Sequence, residues 1–546
     1  MNTTCNIVWH RRDLRVHDNK ALFHALEYSI TNSTSLLPIF IFDPIFFKEE
    51  NRNTCDDRII FLSESVQALQ EKYQQLGIEM LVLYGDSNEV LHILQNKLTA
   101  IIYCNNDTNM HEGFQRDYSL KTLNIQRFDN DAILRNSQNS RVSWSEHAQQ
   151  YFNSQIYDNE ELIKKLIEKL HEKKTYEEDR EEIKSKIKEE ININKSFQII
   201  EPDFIIKKYH LQKQKKYNQL GGEEEAKIQL QFFLNHIEKY PSSISKPYKS
   251  QFFCSRLSAY FSFGCISLKY VYKQVEQLET INKRTKQFYL TRLFWNQHFT
   301  QKLEDFKELP RKAVNPILRK INEEHYNEEF IEKYKHAQTG YPLVDASITA
   351  LIQTGWINFR MRAMIASFFC FILHQPWKIG ADFMAYHLMD CDMAINYAQW
   401  QMQAGVVGVH PLRIYNVTKQ IYDNDSELQF IKQQLPIFKY VKEIEYIAQP
   451  WKYKQELYKK YNIVLGEDYP LPFVDFDEEA RITRSWFKER IPEIKKALGI
   501  PKVKKNASLS KKRTNITKKK SSSKSKEKLK GKEEKKSSNQ KSLLDF

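Results

Sequence analysis

Four short runs of β-branched and aromatic residues recur in the first 135 residues. They are NIVW (Asn6 to Trp9), LLPIFIFD (Leu36 to Asp43), MLVLYGD (Met80 to Asp86) and AIIYCN (Ala100 to Asn105). Each is nearly continuous in apolar character, as expected of strands buried on both faces. Between them lie stretches of helical period such as RIIFLSESVQALQEKYQQLG. This rhythm predicts an α/β unit, an N-terminal doubly wound parallel-sheet domain over residues 1–135.

The pattern degrades over residues 136–220. DNEELIKKLIEKLHEKKTYEEDREEIKSKIKEE mixes charges, and its apolar positions are too few for a helix that faces a core along its whole length. The segment reads as a long, charged helical connector with solvated helices; a partner-binding coiled coil is the alternative. At GGEEEAKIQLQFFLNHI helical periodicity begins, and it continues with almost no strand signal, predicting an all-helical domain over 221–499. Residues 500–546 are Lys/Ser-rich and are expected to form a disordered basic tail.

Charge sharpens this division. The chain carries a net +14, of which +13 lies in residues 501–546, so the other 500 residues are close to neutral. Any cationic footprint on the folded body must therefore be local, and the tail alone reads as a nuclear-targeting or polyanion-seeking arm. The seven Cys show neither C-x-x-C pairing nor the Cys/His spacing of a zinc site, which implies reduced thiols and no metal. Neither a signal core nor a membrane-length apolar run is present, so a soluble intracellular protein, without membrane contact and monomeric, is expected.

One segment poses a chemical question. In HLMDCDMAINYAQWQMQAG, His387 to Gly405, a helical reading puts Asp392, Asn396 and Trp400 on one face, among otherwise small or apolar neighbours. A dry core would not select an acid, an amide and an indole there.

Three motifs answer it together. VWHRRDLRVHDNKAL (Val8 to Leu22) resembles the amino-terminal signature of the photolyase/cryptochrome family. TGYPLVDASITALIQTGWINFRMRAMIASF (Thr339 to Phe368) and HLMDCDMAINYAQW resemble its flavin-binding core. The variant MQAGVVGVHPLRIYNVTKQIYDND with RMRAM looks closest to a branch of short, bacterial-type members. The resemblance spans about 490 residues in the right order, and it implies FAD as cofactor. Within it, Asp392 matches an acid at the N3/ribityl side, Asp390 one that pairs with the arginine matching Arg362, and Asn396 the residue facing N5. A neutral amide there suits an anionic reduced flavin, which an Asp would disfavour. CSRLSAYFSFG resembles the loop that holds the FAD diphosphate, matching at Ser255, Arg256, Leu257 and Ser258, with Cys254 in place of the usual Thr. Tyr240, Asn296, Arg360 and Cys391 complete the flavin contacts the resemblance assigns.

The same resemblance assigns Trp400 and Trp377 to the first two places of an electron-carrying tryptophan chain. No Trp stands near Glu323 for the third, and Tyr326 is the nearest aromatic. Trp295 matches a stacking tryptophan of the lesion pocket. Arg292 stands where cyclobutane-dimer enzymes carry a Glu, and Phe359, Ala363 and Met402 replace an Asn, a Met and a second Trp. A Glu-to-Arg exchange inverts the charge and the hydrogen-bonding sense. A second, antenna chromophore of folate or deazaflavin type is compatible with the family, although Asn109 and Met110 replace the Tyr-Glu pair of folate-binding relatives. The terminus QKSLLDF resembles a sliding-clamp peptide through Gln540, Leu543 and Phe546. The expected function is a blue-light DNA photolyase that repairs ultraviolet pyrimidine lesions; a cryptochrome-type photoreceptor without repair is the alternative.

Overall fold

A computed structural model of the chain describes residues 5–47, 54–107, 111–137, 140–173, 176–407 and 412–497. Six strands, β1 (Cys5–His10), β2 (Ser35–Phe42), β3 (Leu81–Gly85), β4 (Ile101–Asn105), β5 (Ile125–Phe128) and β6 (Phe197–Ile199), form one sheet in the order β5-β4-β1-β2-β3-β6. The four apolar runs are its central strands, all parallel, with Val8 opposite both Pro38 and Tyr103. The chain moves from β1 to β2 and β3 on one side, then returns to the other side of β1 for β4, so a switch point lies between β1 and β4.

Two strands were not anticipated. β5 is a partly exposed edge strand whose IQRF alternates polar and apolar residues. β6 is only three residues long and comes from the charged connector. It adds antiparallel to β3, packed so closely that a Cβ on Gly85 would stand 2.7 Å from that of Phe197. The connector is also less solvated than its charge implies. Ile163, Leu166 and Leu170 of helix Asn159–His171 enter one apolar layer of the sheet, and Ile183 and Ile187 of helix Tyr176–Asn194 enter the other. One narrow apolar stripe suffices when only one face of a helix is covered.

From Glu223 to Ala497 the described residues are helical and contain no strand. The core of this domain gathers around helices Pro342–Thr354, Phe359–Phe371, Trp377–His387 and Met393–Gln403. The segment His387 to Gly405 is not one helix. The first helix ends at His387, Leu388 is extended, and Asp392, with φ −108° and ψ 119°, caps the next through Ile395 N at 3.1 Å.

Candidate flavin site and lesion pocket

The amino-terminal signature works as a joint between the two domains. At the carboxyl end of β1, the buried Asp13 accepts from Arg11 N at 2.8 Å and Asn105 Nδ2 at 2.6 Å. Arg15 reaches the carbonyl of Gly264 at 2.8 Å, and Asp18 pairs with Lys269 at 2.9 Å with both side chains buried. Gly264 has φ +69°, and a Cβ there would stand 2.0 Å from the Arg12 carbonyl, so only glycine allows this approach. Arg12 donates to the Ser262 carbonyl at 2.9 Å and pairs with Asp392 at 3.4 Å. Arg58 donates to the Ser262 hydroxyl and to the Cys391 carbonyl. The residues flanking the flavin motif are thus held from the sheet domain.

Beyond that joint, Arg362 donates through Nη2 to both oxygens of Asp390, at 3.1 and 2.8 Å. Burial alone would raise the Asp390 carboxyl, but Arg362, the Ser258 hydroxyl and the charge of Arg256 hold it below its ordinary value. Arg256 itself adopts φ +55°, its guanidinium 4.0 Å from the Trp356 ring centroid and 5.8 Å from that of Tyr217. A side chain in this left-handed region is strained and is retained where the surroundings demand it. Burial lowers the Arg256 pKa, and the more distant charges of Tyr217 and Asp390 oppose the shift only in part. A half-buried cation beside hydroxyls, in no salt bridge among the described residues, is what a pyrophosphate requires, so the loop Cys254 to Ser258 fits the FAD diphosphate. Cys254 is suited to a contact role only, because burial pushes its thiol up to about 12. Leu257 is buried in the core beneath the loop.

Asn396 lies one turn into helix Met393–Gln403 and is buried. Its Nδ2 donates to the Ala381 carbonyl at 3.0 Å, which turns the acceptor oxygen of the amide away from that carbonyl. Trp400, one turn further, is buried with its indole N–H 3.3 Å from Met384 Sδ. Trp377 opens the neighbouring helix, and its ring meets Tyr397 edge-on at 6.3 Å. Tyr397 was missed in the sequence, where it reads as one more core aromatic. Tyr326 is exposed, on a segment tied to the approach to Trp377 through Asn327 N to Gln375 Oε1 at 2.9 Å and Gln375 Nε2 to the His325 carbonyl at 3.0 Å.

Helix Lys283–Asp305 supplies the second half of the site. The Arg292 guanidinium lies 4.1 Å from the Trp295 ring centroid, 5.0 Å from that of Phe288 and 5.5 Å from that of Phe359. Burial lowers the Arg292 pKa, while a hydrogen bond to Tyr240 opposes the shift and the charge of Arg360 adds to it. Tyr240, Cys254, Arg292 and Arg360 therefore stand together, and Ser255 adjoins Tyr289 on the same helix. Ala363 is buried; Met402 is half-buried in the last turn of the Trp400 helix. Asn296 sits apart from the aromatic box, lining a cavity of about 120 Å³ at the β1/β4 switch point with Arg12, Asn105 and Asp392.

Trp356 and Tyr217, which enclose Arg256, and Arg12 and Arg58, which hold the flavin motif from the other domain, escaped assignment from sequence. Arg12 and Trp356 lie inside the family motifs and were the most legible of them. Asn109, Met110 and the clamp-like terminus lie outside the described residues. Among the described residues no cluster of metal-ligating side chains occurs, no helix is long and apolar enough to cross a membrane, and all seven Cys are free.

With the geometry in place, comparison with known proteins defines the class. The model for the FAD binding domain of DNA photolyase matches residues 289–489, and the DNA photolyase model matches residues 6–126. The chain is 25% identical over 497 residues to a cryptochrome DASH of Synechocystis, covering 88% of this chain and 96% of that protein. It is 25% identical to a deoxyribodipyrimidine photo-lyase of Alkalihalophilus pseudofirmus, covering 88% and 97%. The crystal structure of an archaeal photolyase from Sulfolobus tokodaii with two FAD molecules superposes with a TM-score of 0.67 at 21% identity, covering 89% of this chain and all of that one. The chain belongs to the photolyase/cryptochrome family and carries its FAD-binding domain.

Proposed function

We propose that the protein is a blue-light DNA photolyase acting on ultraviolet pyrimidine lesions. Bound, reduced FAD supplies under blue light the single electron that splits such a lesion. The chain's own residues do the rest. Arg256 and its neighbouring hydroxyls neutralise the diphosphate. The Arg362–Asp390 pair fixes the polar edge of the ring site, and the Asn396 amide, oriented by the Ala381 carbonyl, offers an uncharged acceptor. Trp295 provides the face on which an extruded base stacks.

The observation that carries this reading is the aromatic box of Phe288, Trp295 and Phe359 around Arg292, beside the loop of Cys254. A planar cation held among rings can donate to base carbonyls or a phosphate, where the Glu of cyclobutane-dimer enzymes could also accept. Light-dependent removal of cyclobutane or (6-4) products from irradiated DNA tests it. The departures at Phe359, Ala363 and Met402 favour a second reading, a cryptochrome-type receptor whose flavin redox change is read by a partner. A receptor photoreduces yet shows no preference for damaged DNA.

We further assign the basic tail to nuclear targeting, and Gln540, Leu543 and Phe546 to a sliding clamp. A second light-harvesting chromophore in the sheet domain belongs to the same proposal. The archaeal photolyase, whose crystal structure holds two FAD molecules, gives it precedent. Tail deletion with imaging of the full-length chain, clamp binding by the terminal peptide and pigment extraction test these in turn.

A further inference from the structure

The last stretch of the connector, residues 211–221, runs from the sheet domain to the loop that fits the FAD diphosphate. It is tied first to helix Asp56–Gln75, where Gln214 N and Lys215 N donate to Asp57 Oδ1 at 3.1 and 2.9 Å. Lys216 N then donates to the Gln353 carbonyl of the helical domain at 2.7 Å. Beyond these anchors the chain brings a side-chain amide to the diphosphate loop. Gln219 Nε2 donates to the Arg256 carbonyl at 2.9 Å, and its Oε1 accepts from the Tyr217 hydroxyl at 2.8 Å, so the amide is held at both ends. One residue earlier in the loop, Gln229 of helix Glu223–Leu234 donates through Nε2 to the Ser255 carbonyl at 3.0 Å. Two consecutive carbonyls are therefore engaged by two glutamines from outside the loop.

The planarity of the peptide bond fixes the consequence. A carbonyl and the N–H of the following residue point in opposite directions, so engaging the Ser255 and Arg256 carbonyls aims the N–H groups of Arg256 and Leu257 the other way. Arg256 is left-handed at φ +55° and Leu257 right-handed at φ −86°, ψ −4°. Two successive residues of opposite hand turn their N–H groups into one concavity, which suits an anion. Among the described residues neither N–H has an acceptor. We propose that Gln219 and Gln229 are positioning residues for FAD: by holding the two carbonyls, they present the Arg256 and Leu257 N–H groups to the diphosphate. The inference rests on the reading of this loop as the diphosphate site and extends it to the connector. Flavin retention then depends on a segment anchored on the sheet domain, acting through the loop.

The test is the rate of FAD release from the full-length, FAD-loaded protein on dilution, read as the rise of flavin fluorescence. Gln219→Met and Gln229→Met keep the length of the side chain and remove its donor. Each should speed release about tenfold, the value of one carbonyl left without its hydrogen bond. Tyr217→Phe keeps the ring beside Arg256 but loosens the Gln219 amide, and should speed release by a smaller factor. The absorption spectrum of the flavin still bound should match that of the natural chain, because the ring end is held separately by Arg362 and Asp390. Unchanged release in both methionine variants would overturn the assignment. Faster release with an altered ring spectrum would overturn it as well, because that marks a general loosening of the site. Arg256→Gln separates this result from the underlying reading. Faster release in that variant, with unchanged release in the methionine variants, would keep the diphosphate on the loop and remove the glutamines. Unchanged release in Arg256→Gln would remove the diphosphate from the loop, and the positioning role with it.

Discussion

The indole of Trp400 rests on the backbone of Gly380, where an added Cβ would lie 2.4 Å from Cη2 and 2.6 Å from Cζ3. Gly380 is one turn along the helix that begins at Trp377, so its missing side chain sets how closely the two tryptophan-bearing helices approach. Gly380→Ala should force the indole out of place at a cost of about 1–3 kcal/mol, read by denaturant unfolding. It should also slow blue-light reduction of the flavin. Trp400→Phe, which relieves any crowding, should suppress photoreduction with a smaller stability loss; an unaltered rate would mean that electrons reach the flavin another way.

Asn396→Asp changes one atom of a side chain that donates to the Ala381 carbonyl. A carboxylate there faces that carbonyl without a hydrogen and brings negative charge to the ring site. The expected result is a lower midpoint potential for full reduction of the bound flavin, measured by spectroelectrochemistry. An unchanged potential would remove Asn396 from the neighbourhood of N5.

Asp390→Asn leaves Arg362 without its counter-charge. The Arg362 side chain retains 26% exposure, which screens part of the loss, so the cost should fall near the low end for a broken buried pair, about 3 kcal/mol. FAD occupancy of the purified protein, read from its absorbance ratio, should fall with it. Full occupancy would reduce the pair to a structural role.

The flavin motif was legible in the sequence because its chemistry is local. Asp390, Asp392, Asn396 and Trp400 lie within eleven residues, and Arg362 only twenty-eight residues before Asp390. The central strands were legible for the same reason, being continuous apolar runs. What escaped depends on long-range contact. Arg12 and Asp392 are 380 residues apart, and no periodicity in either segment announces their pairing. β6 exists because β3 offers it an edge, and three residues carry no pattern. The break at Leu388 to Asp392 was hidden because an N-cap Asp and a mid-helix Asp look alike until the backbone is known.

Two histidines make acid sensitivity testable. Burial lowers His298 and His387 from 6.5 to about 4, and nearby Lys302 and Lys215 act in the same direction. Both are neutral in the folded chain, whereas the unfolded chain protonates them below pH 6.5. Their contribution to stability is therefore complete above that pH and falls as the pH drops toward 4. Asp345 and Asp425, raised by burial to about 7 and about 6, oppose this over the same window, so the test is a difference. Relative to the natural chain, His298→Phe should gain up to about 3 kcal/mol between pH 7 and pH 4. Parallel stability curves for the two proteins would contradict this.

Trp295→Ala should weaken binding of damaged DNA by about 1–3 kcal/mol, the value of a stacked base, and affect undamaged duplex less. Arg292→Lys should lower damaged-DNA affinity as well despite retaining the charge, because an ammonium cannot lie flat among Phe288, Trp295 and Phe359. Equal losses on damaged and undamaged DNA would place both residues in nonspecific contact.

The most direct measurement is lesion removal by the purified, FAD-loaded and photoreduced protein on ultraviolet-irradiated DNA. Blue light is compared with darkness, and cyclobutane and (6-4) products are counted separately. Light-dependent loss of one product, abolished by Trp295→Ala, is the expected result. Retention of both products under light, with the flavin demonstrably reduced and the DNA bound, would contradict a photolyase and leave the photoreceptor.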